Sequence, residues 1–126
     1  MRVLYVDDDR INALLFVETC RFAPGVEVQT AGTGAEALAL VRHWRPDLLV
    51  IDLHLPDTLG YDLLPMLRQC MASPTTPAYL CTADEAPLVA QPAGEAGFDG
   101  CWTKPVVLQS VLAELARHAE RRAGLR

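Results

Sequence analysis

The sequence is short of long apolar runs, paired cysteines and positive charge. No stretch of about 18 or more uncharged apolar residues occurs, so nothing in it reads as a membrane-spanning helix. Met1 leads at once into a strand-like segment and not into a secretory signal, and a cytoplasmic location is the expectation. The four cysteines, Cys20, Cys70, Cys81 and Cys101, show none of the short paired spacings of a structural zinc site or a C-x-x-C redox centre. They read as reduced, mostly buried small apolar residues. A formal net charge of -5 and a pI near 5.0 argue against direct nucleic-acid binding. The four arginines between Arg117 and Arg126 make the C-terminal end locally basic, as a solvated helix end complementing its own dipole would be. Low-complexity segments and internal repeats are missing too, which removes linkers and solenoids.

What is present is 126 residues with 51% apolar content, enough for one domain, residues 1–126, with a core of its own. Short apolar, β-branched runs alternate with longer amphipathic stretches, the pattern of an α/β fold. Five strands are predicted: Arg2 to Val6, Val26 to Thr30, Leu48 to Ile51, Ala78 to Cys81 and Gly100 to Thr103. The first, third and fourth are almost wholly apolar, as strands covered by helices on both faces must be. Between them, Ala37, Leu40, Val41 and Trp44 fall at helical spacing, as do Leu63, Met66, Leu67 and Cys70. The last helix is predicted to bury Leu108, Val111, Leu112, Leu115, Ala116 and Ala119, with Glu114, Arg117, His118 and Arg121 facing outward. Pro65 inside the third helix predicts a late start or a kink. Pro87, Pro92 and Gly94 make the segment from Glu85 to Gly97 a short or irregular fourth helix.

The polar residues fall at strand ends. Asp7 and Asp8 close the first strand, Asp52 the third, Thr82 the fourth and Lys104 the fifth. In a doubly wound sheet these ends gather at one edge, where ligands bind. Carboxylates crowded there repel one another at neutral pH, so the cluster reads as a seat for a divalent cation beside a carboxylate that does chemistry.

Four motifs in order carry a resemblance: V-D-D at Val6 to Asp8, D-L-H-L-P-D at Asp52 to Asp57 with Gly60 beyond, C-T-A-D at Cys81 to Asp84, and T-K-P at Thr103 to Pro105. With them the whole chain resembles the receiver domain of two-component response regulators. The resemblance implies a flavodoxin-like doubly wound five-stranded parallel sheet of order 2-1-3-4-5 between about five helices. It further implies that Asp52 takes a phosphoryl group from a histidine kinase or a phosphotransfer protein. Such a domain is a switch and not an enzyme in its own right. Asp8 would coordinate Mg²⁺ directly, Asp7 through water, Asp52 through a carboxylate oxygen and His54 through its backbone carbonyl. Magnesium suits this oxygen-rich set better than zinc. Lys104 would pair with Asp52 or the phosphoryl oxygens, Thr82 would give its hydroxyl to the phosphoryl group with Ala83 beside it, and Pro105 would be the cis-proline that aims Lys104 inward. A downstream protein or covalently linked domain would meet the face of helix four, strand five and helix five.

Plainer roles suit several residues. Asp9 reads as the cap of the first helix, Thr82 taken alone as a strand-end threonine, and the His54 ring as solvent-facing. His43 and His118 read as helix-surface residues without a role. The main departure is Cys101, which stands where receivers carry Tyr or Phe three residues before the lysine. Trp102 follows, but strand alternation turns it to the opposite face, into the core or under the last helix. An oxidation-sensitive pair of Cys81 and Cys101 on neighbouring strands is the lesser reading in a reducing cytoplasm.

Three rival functions fit the same residues less well. A degenerate receiver would serve only as a phosphorylation-independent interaction module. A phosphatase with an aspartyl nucleophile needs a second acid where His54 stands. A flavin-binding relative needs a phosphate-cradling loop where this chain has three aspartates.

Overall fold

In the computed structural model, which describes residues 1–83, 86–104 and 108–124, strands and helices alternate from the first residue onward. The strands are β1 (Arg2–Val6), β2 (Glu27–Ala31), β3 (Leu48–Asp52), β4 (Ala78–Thr82) and β5 (Gly100–Thr103). The helices are α1 (Arg10–Cys20), α2 (Gly34–Leu40), α3 (Gly60–Met71), α4 (Ala86–Glu95) and α5 (Leu108–Gly124). All pairings are parallel, in the order β2-β1-β3-β4-β5. The order reverses between β1 and β3, and their carboxyl ends therefore flank the switch point.

The apolar strand runs are buried on both faces because each face has its own helical layer. Leu4, Val6, Leu49, Ile51 and Leu80 pack with α2, α3 and α4, whereas Val3, Tyr5, Val50, Tyr79 and Cys81 pack with Phe16 and Cys20 of α1 and Val111 and Leu115 of α5. α1 starts where Asp9 caps it, accepting from the amides of Ile11 and Asn12 at 2.9 and 3.3 Å. Asp9 is thus the cap its position predicts.

Three expectations about the helices are corrected. α3 buries Gly60, Leu63, Leu64, Leu67 and Met71, while Met66 and Cys70 are exposed. The helix runs unbroken through Pro65, so it does not start late; the proline lies on the exposed face, where its ring meets no neighbouring layer. In α5 the outward row is interrupted. His118 is buried, and Ala116 and Ala119 are exposed. Its imidazole has a partner on the sheet, the Tyr79 hydroxyl at 2.7 Å, which makes the inward position favourable. α4 forms as a helix of 10 residues with Pro92 inside.

Candidate functional site at the carboxyl edge of the sheet

Strand alternation assembles the site. Asp7 follows Tyr5, and Asp52 follows Val50, onto the α1/α5 side of adjacent strands. Lys104, the only lysine in the sequence, leaves β5 two residues after Trp102 on that same side. The result is a crater in which carboxylate oxygens of Asp7, Asp8 and Asp52 all lie within 4.8 Å of one another. The Lys104 ammonium enters between two of them, 2.9 Å from Asp7 Oδ2 and 3.2 Å from Asp52 Oδ2. The sequence-predicted acids and the lysine therefore meet, with one addition: the lysine pairs with Asp7 as well as with Asp52.

Burial and pairing set the charges. Burial alone would raise the Asp7 carboxyl, but Lys104, the Asp9 amide and the Tyr5 hydroxyl outweigh it and hold Asp7 below the ordinary carboxylate value. Asp52 moves the other way, because burial, reinforced by the Asp7 charge, outweighs Lys104 and a hydrogen bond from the His54 amide. Burial would weaken the Lys104 ammonium, yet the two carboxylates hold it above the usual lysine value. Asp7 thus stands as the fixed anion of the crater and Asp52 as its more basic carboxylate.

The loop that delivers Asp52 is held by its own backbone. Gly60 donates its amide to Leu53 O at 2.8 Å, and a Cβ there would stand 2.6 Å from the Asp52 carbonyl, so only glycine allows α3 to begin this close to the end of β3. Asp57, given no role from sequence, accepts from the Gly34 and Ala35 amides at 2.9 and 3.0 Å and ties the same loop to the start of α2. Asp57 sits below the ordinary carboxylate value for that reason. The His54 side chain is exposed, in keeping with a solvent-facing ring.

Thr82 is fully buried at the end of β4, its carbonyl accepting from the Lys104 amide at 2.7 Å, and Ala83 beside it is exposed. Pro105 lies outside the described residues. Cys101 pairs in register with Leu80 and packs in the α2/α3/α4 layer, whereas Cys81 pairs with Trp102 in the other layer. The two thiols face opposite sides of the sheet, which rules out the Cys81–Cys101 pair. Cysteines 20, 70, 81 and 101 are all free. Trp102 packs on the α5 side as alternation predicts, stacked on Tyr79 with ring centroids 4.9 Å apart.

Two further contacts escape sequence reading. Tyr5 donates its hydroxyl to Asp7 Oδ2 at 2.9 Å, and Tyr79 joins β4 to α5 through Glu114, Arg117 and His118. The first could have been found from the spacing alone, since residues 5 and 7 share one face of β1. The second joins residues too far apart in sequence for any local signal.

A five-stranded parallel sheet of this order, with an acidic crater and one ammonium at its carboxyl edge, is a doubly wound α/β fold with its polar site at the switch point. A family model for the response regulator receiver domain matches residues 3–116, and the chain belongs to that family. It is 37% identical, over 98% of its length, to the probable transcriptional regulatory protein TcrX of Mycobacterium tuberculosis, of which it covers 51%. It is also 32% identical, over 96% of its length, to the sensor histidine kinase RcsC of Escherichia coli, of which it covers 12%. The chain spans about half the length of the first of these relatives and far less of the second. Among solved structures, the chemotaxis response regulator CheY4 of Vibrio cholerae superposes with a TM-score of 0.83 at 30% identity, covering 93% of this chain and 97% of that one. The BeF3-activated DrrB receiver domain superposes with a TM-score of 0.81 at 28% identity, covering 94% and 97%.

Proposed function

We propose that this chain is the phosphoacceptor of a two-component phosphorelay and that Asp52 carries the phosphoryl group. The observation that supports it most directly is the placement of Lys104 between Asp7 and Asp52 at 2.9 and 3.2 Å, inside a group of three carboxylates. An oxygen of Asp52 forms the new O–P bond while the P–N bond of a donor phosphohistidine breaks. The leaving imidazole keeps the bonding pair and takes up a proton from solvent. Lys104 stabilises charge on the transferring oxygens, and the Thr82 hydroxyl, with Ala83 beside it, meets the group once it is in place.

The donor set fits a hard divalent cation, since Asp7, Asp8 and Asp52 offer only oxygens and stand close enough to share one ion. Asp8, the exposed member, Asp52 and the His54 carbonyl would hold Mg²⁺, with Asp7 joined through water. Bound there, Mg²⁺ supplies charge neutralisation on the phosphoryl oxygens. The domain is a switch of residues 1–126 that acts inside the cell through a partner on the α4/β5/α5 face, without binding nucleic acid or entering a membrane. Among the described residues, no helix is long and apolar enough to cross one.

The donor's docking face follows from α1, whose first turn abuts the crater. Ile11, Leu14 and Leu15 lie at helical spacing and are 69%, 64% and 59% exposed, with Phe22 beyond them at 72%. A contiguous apolar stripe left in water marks a protein contact. A histidine kinase or phosphotransfer helix seated there would reach Asp52.

A second reading, a constitutive interaction module, is favoured by Cys101, whose small thiol cannot act as an aromatic reporter of the crater. The deciding experiment is labelling by acetyl phosphate with Mg²⁺. The parent is expected to be labelled and Asp52→Asn not. Equal labelling of both removes Asp52 from the role, and labelling of neither leaves the interaction module.

A further inference from the structure

The crater contains one polar contact that phosphoryl transfer does not call for. Asp7 Oδ2 accepts from two donors at once, Tyr5 Oη at 2.9 Å and Lys104 Nζ at 2.9 Å, while Oδ1 accepts from the Asp9 amide at 3.0 Å. The Asp7 side chain has no solvent exposure, so bulk water does not reach the oxygen that a departing donor leaves. Lys104 is the donor that must change partners if it is to serve a phosphoryl group on Asp52. Without a second donor, Asp7 Oδ2 would then be a buried carboxylate oxygen with no hydrogen bond, an arrangement that opposes the exchange.

Tyr5 is built to cover that oxygen. It is buried, sits two residues before Asp7 on the same strand face, and its ring is stacked on Phe16 at 4.4 Å and 15°, which fixes the direction of the hydroxyl. Tyr5 and Lys104 also line one small cavity of about 50 Å³ between α1 and α5.

We propose that Tyr5 is a positioning residue, whose hydroxyl keeps Asp7 Oδ2 hydrogen-bonded while Lys104 exchanges Asp7 for the phosphoryl oxygens on Asp52. It touches neither phosphoryl group nor cation; it acts through Asp7, as the outer partners of a charged site do. The inference rests on the phosphoacceptor reading of Asp52.

The single lysine makes the test direct, because lysine labelled with ¹⁵N at Nζ and ¹³C at Cε gives one side-chain signal. Tyr5→Phe keeps the ring and the Phe16 stack and removes only the hydroxyl. In the resting protein its Lys104 signal is expected to move, as the ammonium becomes the sole side-chain donor to Oδ2. Beryllofluoride at saturating Mg²⁺ is expected to bind about tenfold more weakly. Phe16→Leu, which loosens the stack and keeps the hydroxyl, is expected to lower the melting temperature and to move both readouts less than Tyr5→Phe does. An unmoved Lys104 signal with unchanged beryllofluoride affinity overturns the proposal. So does equal weakening by both variants with neither signal moved, since that is packing alone.

In the parent, the Tyr5 hydroxyl proton is expected to stay protected from exchange when beryllofluoride binds, and its loss would overturn the proposal even if Tyr5→Phe does not fold. A parent that binds no beryllofluoride defeats the phosphoacceptor reading instead. The resting Lys104 signal of Tyr5→Phe would still decide whether Tyr5 holds Asp7.

Discussion

The hydroxyl of Tyr79 on β4 lies 2.7 Å from Nε2 of His118 on α5, joining residues 39 apart in sequence. That hydroxyl also donates to Glu114 Oε2 at 2.6 Å and accepts from Arg117 Nη2 at 2.9 Å. With its one proton on Glu114, it has lone pairs for Arg117 and for His118 Nε2–H. The network pins α5 to the sheet in the layer where Trp102 stacks on Tyr79. Gly100 belongs to the same arrangement, since a Cβ there would stand 2.8 Å from the Tyr79 ring.

Tyr79→Phe keeps the stack and deletes the hydroxyl. Buried His118 and half-buried Glu114 then lose a partner, and the expected loss is about 1–3 kcal/mol. Urea unfolding checks it. Labelling of Asp52 by acetyl phosphate is expected to persist, because the network does not touch the crater.

Burial, followed by the charge of Arg117, holds the His118 imidazole below its ordinary value of 6.5. The folded state thus binds fewer protons there than the unfolded state. Its contribution is complete above pH 6.5 and declines as pH falls through the window beneath that value. Thermal unfolding from pH 7.5 to 5 is expected to show this decline in the parent. In His118→Gln the decline over that window is expected to be smaller.

Asp52 has the opposite sign. Burial, with Asp7 behind it, outweighs Lys104 and raises the carboxyl above its ordinary 3.8, so ionised Asp52 destabilises the fold at neutral pH. Asp52→Asn is expected to melt roughly 2–5 °C higher than the parent at pH 7. The gap should close as pH falls to 3.8, where the parent carboxyl is itself protonated. A variant that melts lower at pH 7 would show that the Lys104 pair dominates.

Ile11 and Leu14 lie mostly in water, so Ile11→Gln with Leu14→Gln should change stability by less than about 1 kcal/mol. Acetyl phosphate is small and needs no docking face. Its labelling of Asp52 should be unchanged, while transfer from a phosphorylated donor protein slows about tenfold or more. Equal slowing with both donors would place the effect in the crater and not on α1.

The sheet was legible because its central strands are uninterrupted apolar runs ending in acids, a pattern that fixes both the type of element and the end where chemistry gathers. β2 begins one residue later than predicted, at Glu27, whose amide bonds Met1 O at 2.9 Å while the Val26 amide is taken by the preceding turn at Ala23. In α3 the expected stripe of Leu63, Met66, Leu67 and Cys70 is half right, since Leu63 and Leu67 are buried but Met66 and Cys70 are exposed. The close approach of Gly60 to the Asp52 carbonyl decides in favour of Leu64 and Met71.

His118 looked like a surface residue because its reason for being buried is Tyr79, on a different element. In the crater, the acids and Lys104 were readable from strand ends. The double duty of Asp7 Oδ2 was not, since it depends on which of two carboxylates the Lys104 ammonium approaches.

The two layers of helices that cover the sheet each hold one tryptophan. Trp44 belongs to the layer of α2, α3 and α4, and Trp102 to the layer of α1 and α5. With two indoles in the chain, each slab of the sandwich has its own emitter. Replacing either one by phenylalanine would assign a change in emission on ligand addition to one slab or the other, with no dye attached.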